Sequence, residues 1–112
     1  MVQGGPALDV SFAALSDRTR RGILERLGRG DATISELAAT FEMSLTGVRK
    51  HVAVLEGAGL VSTAKTGRAR RCRLGPRRLE QEVAFIASYR AMLEARLDRL
   101  GELLEQTRGA TT

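Results

Sequence analysis

The side chains with the most chemical potential in this sequence are few. His51 is its only histidine and Cys72 its only cysteine. A Ser/His/Asp set, a cysteine-cluster zinc site and an internal disulfide therefore lack raw material. No paired carboxylates, phosphate loop or nucleotide fingerprint appear, so neither an enzyme nor a bound cofactor or metal is expected. The basic residues behave differently. Nine of them (Arg49, Lys50, Lys65, Arg68, Arg70, Arg71, Arg73, Arg77 and Arg78) fall between Ser44 and Arg78, against one acidic residue, Glu56. That segment carries +8 in a chain whose total is +5, leaving −3 for the remainder. A basic block within a mildly acidic domain is the footprint of a polyanion-binding face. A solvated arginine-rich surface has the same composition, so position must decide.

The chain is 112 residues long, 43% apolar and 28% charged, which suits one globular domain. It has no apolar run long enough to span a membrane. Its N-terminus, MVQGGPALDV, lacks the basic start and apolar stretch of a secretion signal, and a cytoplasmic location is expected. Residues 1–7 read as a loose tail around Gly4, Gly5 and Pro6. Leu8, Phe12 and Leu15 then mark a short helix. Ser16 or Asp17 can cap a second helix that carries Ile23, Leu24 and Leu27 and ends at Gly28 and Gly30.

Thr33-Ile34-Ser35-Glu36 matches a capping box, in which the two outer residues satisfy each other's backbone amides. The helix it opens has Ile34, Leu37, Ala38 and Phe41 as its apolar stripe. Ser44 caps the next helix, whose apolar positions Leu45, Val48, Val52 and Leu55 form a narrow seam. At about 100° per residue, Thr46 and Lys50 fall opposite that seam, with Gly47 and Ala53 nearby. Arg49 and His51 lie on its flanks. Leu60–Lys65 and Ala69–Leu74 read as two strands around a glycine-containing turn. Alternation puts Arg71 and Arg73 on one face and Arg70, Cys72 and Leu74 on the other, with Cys72 and Leu74 toward the core. Cys72 reads as a small buried apolar residue or a redox sensor. A long helix follows over 78–106, and 107–112 read as a tail.

Two short helices joined by a tight turn and followed by an arginine-rich hairpin make a winged helix-turn-helix, an α+β fold with little β. The fold spans 8–106, with the helix-turn-helix at 33–57 and the wing at 60–74. Its second helix is sized for a major groove. The candidate DNA contacts are Ser44, Thr46, Gly47, Arg49, Lys50 and His51 on that helix, and Arg68, Arg70 and Arg71 on the wing. Ser44 brings the anion-attracting helix N-terminus, and Arg68 at the tip can reach a minor groove or phosphate. The last helix carries Ile86, Leu93, Leu97, Leu100 and Leu104 on one stripe, with Tyr89 beside it and Arg90 interrupting. A helix of roughly 25 residues extends about 37 Å, longer than so small a core can cover. The stripe, with Phe12 and Leu15, is therefore expected to pair two copies. Two other uses of a basic winged domain stay open: non-specific DNA packaging and docking of an acidic protein partner.

The stretches Phe12–Leu27 (FAALSDRTRRGILERL), Ile34–Ala38 (ISELA), Ser44–Val61 (SLTGVRKHVAVLEGAGLV) and Gly67–Leu74 (GRARRCRL) resemble the ArsR/SmtB family of bacterial winged-helix transcription regulators. The likeness covers Leu8 to Leu104. It implies a homodimeric repressor that reads a two-fold operator in double-stranded DNA, with dimer contacts from the first and last helices. Metal-sensing members place cysteines in the first helix of the pair, or His and carboxylate ligands on the last helix. Here the first location reads Glu36-Leu-Ala-Ala-Thr and the last helix has no histidine. The resemblance is thus to the branch without metal ligands; no residue cluster names an effector.

Overall fold

A computed structural model describes residues 5–77 and 79–110. Its elements are α1 (Gly5–Leu15), α2 (Arg18–Leu27), β1 (Ala32–Thr33), α3 (Ile34–Phe41), α4 (Leu45–Gly57), β2 (Val61–Thr66), β3 (Ala69–Leu74) and α5 (Glu80–Ala110). They form a winged helix-turn-helix. The chain divides into two compact units, one ending at Glu80 and one formed by the helix from Gln81 onward. Several boundaries differ from the sequence reading. Gly5 to Ala7 belong to α1, and the last helix runs past Gln106 to Ala110. The remaining tail positions, 1–4 and 111–112, and Arg78 lie outside the described residues.

Local chemistry sets the starts of the helices in the first unit. Asp17 caps α2 by accepting the amides of Thr19 and Arg20, at 2.9 and 3.3 Å. Thr33 caps α3, its Oγ1 accepting the Glu36 amide at 3.1 Å. The capping box is only half formed, however. The Glu36 carboxylate accepts from the Thr33 hydroxyl at 3.1 Å rather than from its amide. Ser44 caps α4, accepting the Gly47 amide at 3.0 Å.

The core of this unit brings Ile23 and Leu27 of α2, Leu37 of α3, and Val48, Val52 and Leu55 of α4 together with Cys72 of β3. Phe41 packs against it over Gly22, where a Cβ would lie 2.8 Å from the ring. The sheet order is β1-β3-β2, antiparallel throughout. Two side chains depart from the predicted core. Leu45 is 43% exposed: helical side chains lean toward the N-terminus, and in the first turn nothing precedes it to lean upon. Leu74 is 48% exposed. It lies two residues beyond Cys72, where pairing with β1 has already ended. In the second unit, α5 is a 31-residue helix of about 46 Å.

Candidate nucleic-acid interface

α4 buries Val48, Val52 and Leu55 and exposes Thr46, Arg49 and Lys50. The exposed hydroxyl and ammonium follow from the 3-4 spacing of the buried residues, which leaves the opposite side of the helix to solvent. Gly47 is half-buried, and a Cβ there would sit 3.2 Å from both Met43 Cε and Ser44 Oγ. Glycine thus keeps the cap compact at the end of α4 that carries free amides.

His51 is half-buried, and its Nδ1 lies 3.3 Å from Nη1 of Arg20. A guanidinium only donates, so in the neutral ring Nδ1 accepts from it and the ring proton sits on Nε2. Arg20 also donates from Nε to the Ala14 carbonyl at 2.8 Å and from Nη2 to the Ala13 carbonyl at 3.0 Å. It therefore ties the end of α1 to the middle of α4. Nothing in the sequence pattern singled out Arg20, since the residues it joins share no helical period.

Asp17 stands beside this group. Partial desolvation would raise its pKa, but the amides of Arg20 and Thr19, with the charges of His51 and Arg20, outweigh that and hold it below 3.8. A carboxyl depressed in the folded state contributes stability that is complete above its ordinary pKa and is lost as pH falls through the folded value. Thermal melts taken stepwise from neutral pH to about pH 3 should show the wild type losing stability more steeply than Asp17→Asn. The amide oxygen of asparagine caps α2 without titrating.

The wing is a hairpin with a two-residue loop, Gly67-Arg68, closed by the Thr66–Ala69 pair. Gly67 takes φ +63, a conformation that glycine adopts without steric cost at the first position of such a loop. Register places Val61, Thr63 and Lys65 directly opposite Leu74, Cys72 and Arg70, on one face. This face turns toward α4: Cys72 is fully buried, and Thr63 Oγ1 donates to Glu56 Oε2 at 2.9 Å. Burial pushes the Cys72 thiol pKa up, against the opposing charge of Arg70. The thiolate that redox chemistry requires is thereby suppressed, which favours the apolar role.

Of the sequence candidates, the fold gathers Arg49, Arg68 and Arg70 around one cavity, together with Ser35 and Lys65, which the candidate set left out. Arg71 is exposed on the opposite face of the wing and does not line that cavity. The candidates for self-association split by element. Phe12 and Leu15 on α1 are half-buried, and Leu15 packs against the core of its own unit. On α5, Ile86, Tyr89, Leu93, Leu97, Leu100 and Leu104 are all 45–67% exposed. Among the described residues no cluster of three His, Cys, Asp or Glu side chains could hold a metal ion. None of their helices is long and apolar enough to cross a membrane.

A capped helix with a polar outer face, seated beside an arginine-rich hairpin, defines a winged helix-turn-helix DNA-binding protein. Residues 15–64 match the helix-turn-helix domain family. The solved structure of an ArsR family transcriptional regulator is 40% identical, covers 84% of this chain and 97% of its own, and superimposes with a TM-score of 0.75. The chain belongs to the ArsR family of transcriptional regulators and carries its helix-turn-helix domain. The HTH-type transcriptional regulator Rv2034 of Mycobacterium tuberculosis is 40% identical over 68 residues, 61% of this chain and 64% of that protein. The transcriptional repressor SdpR of Bacillus subtilis is 38% identical over 56 residues, 50% of this chain and 62% of that protein. The chain thus spans a little under two thirds of the length of these two curated relatives.

Proposed function

We propose that this regulator is a homodimeric repressor acting in the bacterial cytoplasm, which reads a two-fold operator through the outer face of α4. The observation that carries this reading is the exposure of Thr46 and Lys50 opposite Val48, Val52 and Leu55, on a helix whose N-terminus is capped and free of acidic residues. A cationic or hydroxyl side chain on that face meets base edges when the helix enters a major groove. The wing arginines and the amides beyond Ser44 supply phosphate contacts that fix register. His51, braced by Arg20, serves orientation first and can offer its Nε2 proton to the backbone.

A single head contacts too few bases for an operator address, whereas two heads one helical turn apart double it. The exposed apolar residues of α5 favour pairing of two copies, since a stripe of this length is rarely left in water. Likeness to SdpR supports repression as the outcome of binding.

Footprinting across the DNA that flanks the protein's own gene should reveal a protected two-fold site. Lys50→Ala should then reduce discrimination between that site and random duplex by about 1–3 kcal/mol for each lost base contact, measured by competition binding. Equal loss on both duplexes would remove Lys50 from base reading. A protein that coats all duplexes without a protected site would be an architectural DNA-binding protein. One that binds no duplex at low salt would be a protein-docking module.

A further inference from the structure

A cavity of about 280 Å³ opens between the first turn of α3, the flank of α4 and the tip of the wing. Ser35, Arg49, Lys65, Arg68 and Arg70 supply its polar lining. Four cations, Arg49 from α4 and the other three from the wing hairpin, therefore converge on one small space. Among the described residues none of the four is ion-paired. Lys65 and Arg70 are direct cross-strand partners, and like charges placed opposite each other in a hairpin destabilise it. Glu56, on α4, is engaged by Thr63, two pairs further from the tip than Lys65. The fold thus gathers like charges around a space where an anion would offset their repulsion.

The chemistry of the lining narrows the anion. The cavity lies near the lower end of the roughly 300–1,000 Å³ of sites for drug-sized ligands, and its lining is mostly charged, with Ile34 and Ala69 as the apolar part. A single tetrahedral phosphate suits it, since guanidinium groups donate in a fork that matches phosphate oxygens. We infer that this cavity clamps one backbone phosphate of duplex DNA between the recognition helix and the wing. Arg49 is then a positioning contact rather than a base reader, and Thr46 and Lys50 are left to carry sequence. The inference rests on the DNA-reading role proposed above and adds to it which cations share one phosphate.

The test uses Arg49→Gln, Lys65→Gln and the double variant, with Arg29→Gln in the turn after α2 as an equal charge change away from the cavity. Affinities for the footprinted site and for random duplex are measured across a salt series, and circular dichroism reports folding. Each cavity variant should weaken both duplexes by the same several-fold factor, and even the double variant should flatten the salt slope by no more than about 0.9, the share of one phosphate. The double variant should lose much less than the product of the single losses, because both side chains hold the same phosphate. Arg29→Gln should do neither. Loss confined to the specific site would make Arg49 a base reader and overturn the clamp while leaving DNA binding intact. Multiplicative losses, or an equal effect from Arg29→Gln, would replace the clamp with separate or diffuse contacts. If inorganic phosphate raises the melting temperature only when Arg49 is present, while duplex affinity ignores Arg49, the cavity serves free phosphate and the proposal fails. A wild-type chain that binds no duplex would defeat the DNA-reading role and the clamp together.

Discussion

Leu97→Glu should convert the protein into a folded monomer and abolish tight operator binding. Leu97 is 63% exposed on α5, so replacing it removes little packing within a single α5 helix. In a two-fold pair the same residue is lost twice. Burial of each leucine is worth about 1.5–3 kcal/mol, so the pair loses roughly 3–6 kcal/mol. That weakens dimerisation about 10²- to 10⁴-fold, before the cost of desolvating two carboxylates. Light scattering across a dilution series checks the mass, and circular dichroism checks that helix content survives. Leu97→Ala should give the same trend with a smaller shift. An unchanged dimer mass would remove this stripe from the interface.

Gly75→Ala is expected to give the largest loss of stability for the smallest chemical change. A Cβ at Gly75 would lie 2.4 Å from the Gly59 carbonyl oxygen and 3.0 Å from two further backbone carbons. These are not flexible side-chain ends that can swing aside. The Gly75 amide donates to the Leu60 carbonyl at 2.8 Å, and Gly59 sits at φ +75 as the chain leaves α4. An added methyl must push the end of the wing off this crossing and break the hydrogen bond. Overpacking costs about 1–3 kcal/mol and the lost bond about 1 kcal/mol. Together these lower the melting temperature by on the order of 10 °C. Gly57→Ala is the companion control. It lies within α4 with nothing near the new methyl, and it should raise stability by up to about 1 kcal/mol. Similar melting curves for both variants would show that the crossing tolerates movement.

Most of the first unit was legible because its signals are local. Asp17, Thr33 and Ser44 announce helix starts through their own oxygens, and Gly67 announces the wing's turn. The outward direction of Thr46 and Lys50 follows from counting 100° steps away from Val48 and Val52. What escaped was set by partners distant in sequence. β1 is two residues long and exists only because Ala32 and Thr33 meet Cys72 and Arg71, so no alternation could reveal it. Leu74 has the right parity to face inward, yet its place past the end of β1 leaves it exposed. The cavity was half visible: once Gly67-Arg68 is taken as a two-residue loop, Lys65 must oppose Arg70. The third member, Arg49, is sixteen residues before Lys65 in sequence, and only the packing of α4 on the hairpin brings them together.

Arg20 has a mechanical consequence. Its guanidinium is one flat, rigid plate, and its three nitrogens are occupied at once by two carbonyls at the end of α1 and by the ring of His51. Lysine, with one ammonium on a supple stem, has no way to reproduce such a strut. The pitch at which the reading rod leaves the body of the protein is thus indexed to the first helix. A roll or slide of that helix would be felt through this strut at His51, in the middle of α4.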